Sequence, residues 1–128
     1  MSEGHRTALG RARGLGSAKS GVGGFIAERV TGAALIPLGL WAAWSAVGLA
    51  RADFTSASAW LHGPLNAALL ALLAVVSSHH MQIGMRVVVE DCITRPVTKA
   101  ALLVASAFIC WAAAAVTLVS ILIIVARP

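Results

Sequence analysis

The chain has 128 residues, of which 59% are hydrophobic and 12% are charged, and its formal net charge is +5. A soluble domain carries roughly 25% charged residues, so this chain has too few charges to cover a water-exposed globule. Its basic residues lie in or just after the N-terminal tail, around the two loops and at the C-terminus, with no aromatic residues interleaved, which argues against nucleic-acid binding. The composition therefore predicts an integral membrane protein that is surrounded by lipid.

Residues 1–24 form a polar tail that combines many glycines and serines with basic residues, namely Arg6, Arg11, Arg13 and Lys19. Because glycine costs a helix about 1 kcal/mol relative to alanine, we expect no regular structure before Phe25. The tail lacks the apolar segment of a secretory signal, and its glycines disfavour the amphipathic helix of a mitochondrial transit peptide. We interpret it as a basic tail held near anionic lipid headgroups or an acidic partner.

The remainder of the chain, residues 25–128, contains three apolar segments, at about 30–49, 65–89 and 100–125. A helix of about 20 residues crosses ~30 Å of hydrocarbon at about 1.5 Å per residue. Pro37 is expected to bend the first segment, which membrane helices tolerate. Arg95-Pro96 is expected to end the second, because a residue before proline disfavours helix. The predicted fold class is all-α, a three-helix membrane anchor that completes a larger bundle with a partner.

The distribution of basic residues predicts the orientation of these spans. Eight of the ten Lys and Arg residues precede or enter the first span or lie around the second loop. Only Arg51 and Arg127 fall on the other side. The positive-inside rule therefore predicts a cytoplasmic N-terminus and a periplasmic C-terminus. Trp60, at the end of the first loop, suits a membrane interface.

The two cysteines, Cys92 and Cys110, have neither CxxC spacing nor a disulfide framework. We expect both to be free buried thiols, and neither indicates metal binding or secretion.

The second span is the polar one, and three of its residues share a face. At about 100° per residue, His80, Gly84 and Asp91 align, with His80 and Asp91 ~16 Å apart along the axis. Gly84 would let a flat ring or another backbone approach closely. A neutral imidazole at membrane depth is a good axial ligand for haem iron. A carboxylate near the interface suits a polar head group or a proton relay.

Each of these residues also has a simpler interpretation, which the pattern leaves open. A histidine in a bundle is more often hydrogen-bonded packing than a ligand. Gly84 fits a helix-crossing point. Glu90 and Asp91 fit an interfacial charge cluster with Arg86 and Arg95. His79 lies about 100° around the helix from His80, so the two cannot ligate one iron from the same rigid helix.

The run His80-x3-Gly84-x6-Asp91 is similar to the second-helix motif of the smaller hydrophobic anchor subunit of succinate dehydrogenase, respiratory complex II. Arg29-x-Thr31, which enters the first span, resembles that family's Arg-x-Thr. The tail from Leu9-Gly10-Arg11 to Gly16-Ser17-Ala18-Lys19-Ser20-Gly21 resembles the alphaproteobacterial branch. Length, number of spans and orientation agree, so the resemblance covers essentially the whole chain.

The resemblance implies a non-catalytic membrane anchor for the flavoprotein and iron–sulfur subunits, in a bacterial inner membrane more than a mitochondrial one. His80 matches one axial ligand of haem b, whose opposite ligand comes from the larger cytochrome b anchor subunit. Gly84 matches the close approach of the haem or a helix. Arg29 matches an arginine near the haem propionates and the quinone site, and Asp91 an acid beside the pocket for the substrate ubiquinone.

One residue departs from the family. The aspartate is usually followed by a tyrosine that donates a hydrogen bond to a quinone carbonyl, and here Cys92 stands at that position. A thiol is a weaker donor with a shorter reach, and the chain contains no tyrosine. Cys92 is the residue that the resemblance places at the quinone site beside Asp91. Three explanations for the missing tyrosine stay open: a local slip in register, another group that supplies the hydrogen bond, or an assignment that does not hold at this position.

The alternative function is a small haem-independent membrane transporter or an assembly factor, in which His80, Gln82 and Arg86 line a polar path. Transporters of this size usually carry an intramembrane acidic residue on an early helix, which the first span lacks. A small dihaem electron carrier needs a second pair of histidines at matching depth. His5 and His62 lie in the tail and a loop instead.

Overall fold

The computed structural model describes residues 7–14 and 21–127, and those residues form five helices. They are α1 (Ala8–Ala12), α2 (Val22–Leu49), α3 (Phe54–His62), α4 (Pro64–Cys92) and α5 (Pro96–Val125). Across these two ranges there is no β-strand. Three of the helices, α2, α4 and α5, are long and apolar enough to cross a membrane. The predicted all-α fold with three spans is therefore confirmed.

The N-terminal region is more helical than its glycines indicate, so the expectation of no regular structure before Phe25 is wrong. In α1, the Thr7 hydroxyl accepts a hydrogen bond from the Gly10 amide at 3.1 Å and caps the first turn. The second helix begins at Val22, after Gly21 with a φ of 108°. Extending a long helix is far more favourable than starting one, which offsets the cost of its early glycines. Arg6, Lys19 and the segment 16–20 lie outside the described residues, as does the side chain of Arg11.

The expected loop between the first two spans contains the helix α3. Asp53 caps it, because its Oδ1 accepts a hydrogen bond from the Ser56 amide at 3.0 Å. Hydrogen bonding with Ser56 also holds the pKa of Asp53 below its usual value. At the other end, Asn66 Nδ2 donates to the Trp60 carbonyl at 2.9 Å. The Trp60 ring stacks on Trp41 of α2, with centroids 5.8 Å apart, so α3 is tied to two of the spans.

Prolines mark the boundaries of the second and third spans. Both α4 and α5 begin with proline, at Pro64 and Pro96, where the missing N–H costs the helix nothing. The break predicted at Arg95-Pro96 is confirmed, and Arg95 is extended, with a ψ of 119°. Lys99 Nζ donates to the Glu90 carbonyl at 2.8 Å and so satisfies a free carbonyl near the end of α4. In the first span, α2 is continuous through Pro37.

The helix α4 is central, since it packs against both α2 and α5, and α3 packs against α4 and α5. Among the residues whose burial the structure describes, few apolar side chains are buried, namely Leu38, Leu61, Val89, Cys110, Ala114 and Ile121. By contrast, Trp44 is 83% exposed and Phe108 is 77% exposed. Large apolar faces are thus left uncovered by the described chain.

The two cysteines differ in burial, which corrects the expectation that both are buried. Cys110 is 2% exposed in the contact between α4 and α5. Cys92 is exposed because it is the last residue of α4, beyond the packed part of the helix pair.

Candidate functional site

The imidazole of His80 is held by a threonine of the neighbouring span. His80 Nδ1 lies 2.9 Å from the Thr31 hydroxyl oxygen, although 49 residues separate them in the sequence. Both side chains are partly buried between α2 and α4. Sequence reasoning singled out Thr31 only as part of a motif, and its contact with His80 is a finding of the structure.

The Thr31 hydroxyl lies between the carbonyls of its own helix and the imidazole of His80. The Thr31 hydroxyl donates within its own helix, to the carbonyl of Ala27 at 2.7 Å, and it also lies 3.2 Å from the carbonyl of Glu28. The shortest of these contacts is the one to the Ala27 carbonyl, and carbonyl oxygens only accept. With the hydroxyl proton in that hydrogen bond, the contact with His80 is one in which an N–H at Nδ1 donates to the threonine oxygen. In a neutral imidazole, Nε2 is then unprotonated and has a free lone pair.

Gly32 provides the space for this ring. A Cβ at Gly32 would lie 3.3 Å from His80 Cε1, closer than an ordinary van der Waals contact. The glycine of close approach between α2 and α4 is therefore Gly32, which the sequence pattern did not single out. At Gly84, a Cβ would meet no atom within 4 Å, so no described part of this chain approaches it.

The cytoplasmic end predicted for α4 carries Asp91 and Cys92, and both are exposed. Among the residues that the structure describes, Asp91 has no ion pair, whereas its neighbour Glu90 pairs with Arg86 at 2.7 Å. Of the charge cluster considered from the sequence, only the Arg86–Glu90 pair forms. Because both side chains of that pair are more than two-fifths exposed, it contributes little to stability. Within the described chain, the carboxylate of Asp91 is left without an ion-pair partner.

Arg29 lies apart from the His80 contact. Its guanidinium carbon sits 5.2 Å from the centre of the Phe25 ring, and its side chain is exposed. Positions two apart in a helix differ by about 200°, so Arg29 and Thr31 point to nearly opposite sides of α2. The structure thus joins Thr31 to His80 and leaves Arg29 facing outward.

A second polar feature is a cleft of about 660 Å³ between the start of α2 and the end of α4. Its lining includes Glu28, His79, Gln82 and Arg86, but not His80. The polar path of the transporter alternative required His80, Gln82 and Arg86 together. The structure separates His80 from the other two, because His80 faces Thr31.

The described side chains fit one half of a haem site. The Nδ1 contact leaves His80 Nε2 available as an iron ligand, and Gly84, one turn away on the same face, leaves open space beside the helix. In the ranges 7–14 and 21–127, no group of three or more His, Cys, Asp or Glu side chains could hold a metal ion. The fit therefore concerns a single candidate ligand, His80, among the described residues.

Comparison with known proteins gives consistent results. The sequence model of the family described as succinate dehydrogenase/fumarate reductase transmembrane subunit matches residues 3–124. The succinate dehydrogenase hydrophobic membrane anchor subunit of Rickettsia conorii is 35% identical over 85 residues, which cover 66% of this chain and 68% of that protein. The same subunit of Rickettsia bellii is 30% identical over 94 residues, covering 73% and 75%. No solved structure matches.

Proposed function

The chain belongs to the family of succinate dehydrogenase and fumarate reductase transmembrane subunits, and on this basis we propose that it is the smaller membrane anchor of a succinate:ubiquinone oxidoreductase. In this role it is a non-catalytic subunit. It holds the flavoprotein and iron–sulfur subunits at a bacterial inner membrane, and it contributes side chains to the haem b and ubiquinone sites. The TCA cycle and aerobic electron transfer are the processes in which such a complex works.

The observation that carries the haem part of this proposal is the contact between Thr31 and His80 Nδ1 at 2.9 Å. It leaves Nε2 of His80 as a ligand nitrogen in an apolar, partly buried setting. When bound, haem b supplies a one-electron donor and acceptor within the membrane. His80 Nε2 would hold the iron, and Gly84 would leave room for the haem ring. The larger cytochrome b anchor subunit would supply the second ligand.

The quinone part of the proposal concerns the end of α4. Asp91 is exposed there with no ion pair in the described chain, so its carboxylate is free to accept a hydrogen bond or to take up a proton near a quinone head group. Cys92 offers a weak thiol donor beside it. Arg29, exposed on α2, supplies a positive charge for the haem propionates or the quinone site.

The uncovered surfaces of the chain support the proposed partners. The strongly exposed apolar side chains, such as Trp44 and Phe108, suit lipid and the helices of the larger anchor subunit. The end of the bundle that carries Arg29, Arg86 and Lys99 faces the cytoplasm by the positive-inside rule. The iron–sulfur subunit docks at that end and delivers electrons close to Asp91.

The experiment that tests the proposal is a reduced-minus-oxidised optical spectrum of the tagged chain purified in mild detergent, with its co-purifying subunits identified in the same sample. A b-type haem signal together with flavoprotein and iron–sulfur subunits is the expected result. The same partners without haem would retain the anchor role and remove His80 as a ligand. A chain that purifies with neither would overturn the proposed function.

A further inference from the structure

We infer that Thr31 is a positioning residue for His80, and that Thr31 and Gly32 together form a seat on α2 that fixes the tautomer and the direction of the imidazole ring. The geometry of this seat stands by itself, while its consequence for haem rests on the proposed function. Thr31 contacts His80 directly and acts through it.

The hydroxyl of Thr31 is oriented before it meets His80. A helical threonine directs its Oγ1 to the carbonyl one turn earlier, and here that bond, to Ala27, is 2.7 Å long. The proton of the hydroxyl is thereby committed to α2, and its lone pair points to His80 Nδ1. Because water does not compete inside a membrane bundle, such a bond persists better than it does at a protein surface.

Gly32 sets the ring position from the adjacent residue. The atom nearest to its missing Cβ is His80 Cε1, at 3.3 Å, and this ring carbon lies between Nδ1 and Nε2. A methyl group at Gly32 would push the ring by a few tenths of an ångström and so displace Nε2. The seat therefore combines one hydrogen bond, which selects the tautomer, with one close contact, which sets the ring position.

The consequence for haem follows from the behaviour of ligand histidines in general. A hydrogen bond donated from the second ring nitrogen orients the ligand and raises its basicity, and its loss commonly weakens metal binding by roughly 10–100-fold. A more basic Nε2 favours ferric iron. We therefore expect that loss of the Thr31 hydroxyl weakens haem retention and raises the midpoint potential of any haem that remains.

The variants Thr31→Val and Thr31→Ser test this in the assembled complex. Valine keeps the shape and removes the hydroxyl, whereas serine keeps the hydroxyl. The matched control is Thr117→Val on α5, since Thr117 makes the same bond to a preceding carbonyl, Ala113, at 2.8 Å. We expect Thr31→Val to lower haem content per complex and to raise the midpoint potential. Thr31→Ser and Thr117→Val should match the wild type, and a Thr31→Val complex that matches it in both readouts would overturn the inference.

A second measurement does not depend on haem. The full chain, labelled with [15N]histidine and reconstituted in lipid vesicles without haem, reports the tautomer of His80 by solid-state NMR, with the signal assigned through His80→Gln. We expect a protonated Nδ1 in the wild type and in Thr31→Ser, and a loss of this preference in Thr31→Val. A wild-type His80 protonated at Nε2 alone would overturn the inference without any variant.

The haem measurements and the NMR measurement together distinguish a failure of the Thr31 inference from a failure of the proposed haem role. If the wild-type complex carries no haem but His80 is protonated at Nδ1 in a Thr31-dependent way, the haem role fails and the seat stands. If haem is present and neither its content nor its potential responds to Thr31→Val, the seat fails and the haem role stands.

Discussion

The ring of His79 lies against the indole of Trp111, with the ring centroids 5.8 Å apart and the ring planes tilted by 37°. Its Nδ1 is buried and has no hydrogen-bonding partner among the described residues. The next residue, His80, turns about 100° away and meets Thr31 on α2. Two adjacent histidines thus have different surroundings, one packed on an aromatic ring and one held by a hydroxyl.

This difference predicts opposite results for two alanine variants. We expect His80→Ala to abolish or strongly weaken haem retention, because no other described side chain on that face of α4 is positioned to bind haem iron. His79→Ala removes a packing contact with Trp111 and should leave the haem in place. Haem content per purified complex, from the reduced-minus-oxidised spectrum, is the measurement. Equal haem loss in both variants, or in neither, would contradict the assignment of His80 as the ligand.

The three spans and the polar face of the second span could be predicted from the sequence, because a single physical rule governs each of them. Apolar runs of sufficient length predict the three spans, and helical periodicity places His80, Gly84 and Asp91 on one face. The short helices α1 and α3 were missed because single capping bonds, from Thr7 and Asp53, start them in polar segments.

The contact between Thr31 and His80 could not be derived from the sequence. Periodicity gives the face of each helix, but not the depth at which one helix crosses another. The small residue Gly32 next to Thr31 was the one available signal, because small residues mark close helix contacts in membranes. Gly84 carries the same signal, but a Cβ at Gly84 would meet no described atom within 4 Å. The space beside Gly84 is therefore accessible to groups outside this chain.

That open position yields a prediction for Gly84→Leu. No described atom of the chain would contact the new side chain near Cβ, so folding of the chain itself should be little affected. If haem or a partner helix lies there, the larger side chain should reduce haem content or assembly of the complex. The matched control is Gly48→Leu, at an equally open glycine near the far end of α2. Equal haem content and assembly in both variants would argue against an occupant at Gly84.

The free carboxylate of Asp91 yields a prediction about quinone reduction. A charge-assisted hydrogen bond contributes about 1.5–3 kcal/mol, so its removal should slow the reaction that depends on it by about tenfold or more. We therefore expect Asp91→Asn to slow quinone reductase turnover by at least about tenfold, while succinate oxidation with a soluble dye persists. The control is Glu90→Gln, whose carboxylate is already paired with Arg86. Unchanged quinone turnover in Asp91→Asn membranes would count against the quinone role.

The predicted orientation can be tested with two exposed positions at opposite ends of the bundle. Phe54, at the start of α3, is 79% exposed, and Val97, at the start of α5, is 81% exposed. With Cys92 and Cys110 replaced by serine, Phe54→Cys should react with an impermeant maleimide in intact spheroplasts. Val97→Cys should react only after lysis. The reverse pattern would place the N-terminus in the periplasm.

The last prediction concerns His62, which joins α3 to the end of α5. Its Nε2 lies 3.0 Å from the carbonyl of Arg127, and its Nδ1 lies 2.8 Å from the carbonyl of Ser58. Carbonyl oxygens only accept, and a neutral imidazole has one N–H, so only the charged ring can donate to both. The bond to Arg127 first, and the bond to Ser58 second, therefore raise the pKa of His62 above its ordinary value.

A raised pKa in the folded state fixes the direction of the pH dependence. The stabilisation from His62 is fully present below the pKa of the unfolded chain, about 6.5, and is lost as the pH rises through the higher folded value. NMR titration of the labelled His62 ring should give a midpoint above the ordinary value. In addition, the difference in Tm between the wild type and His62→Gln should shrink as the pH rises. A His62 midpoint at or below the ordinary value would show that the two carbonyl contacts do not hold a charged ring in the membrane-embedded protein.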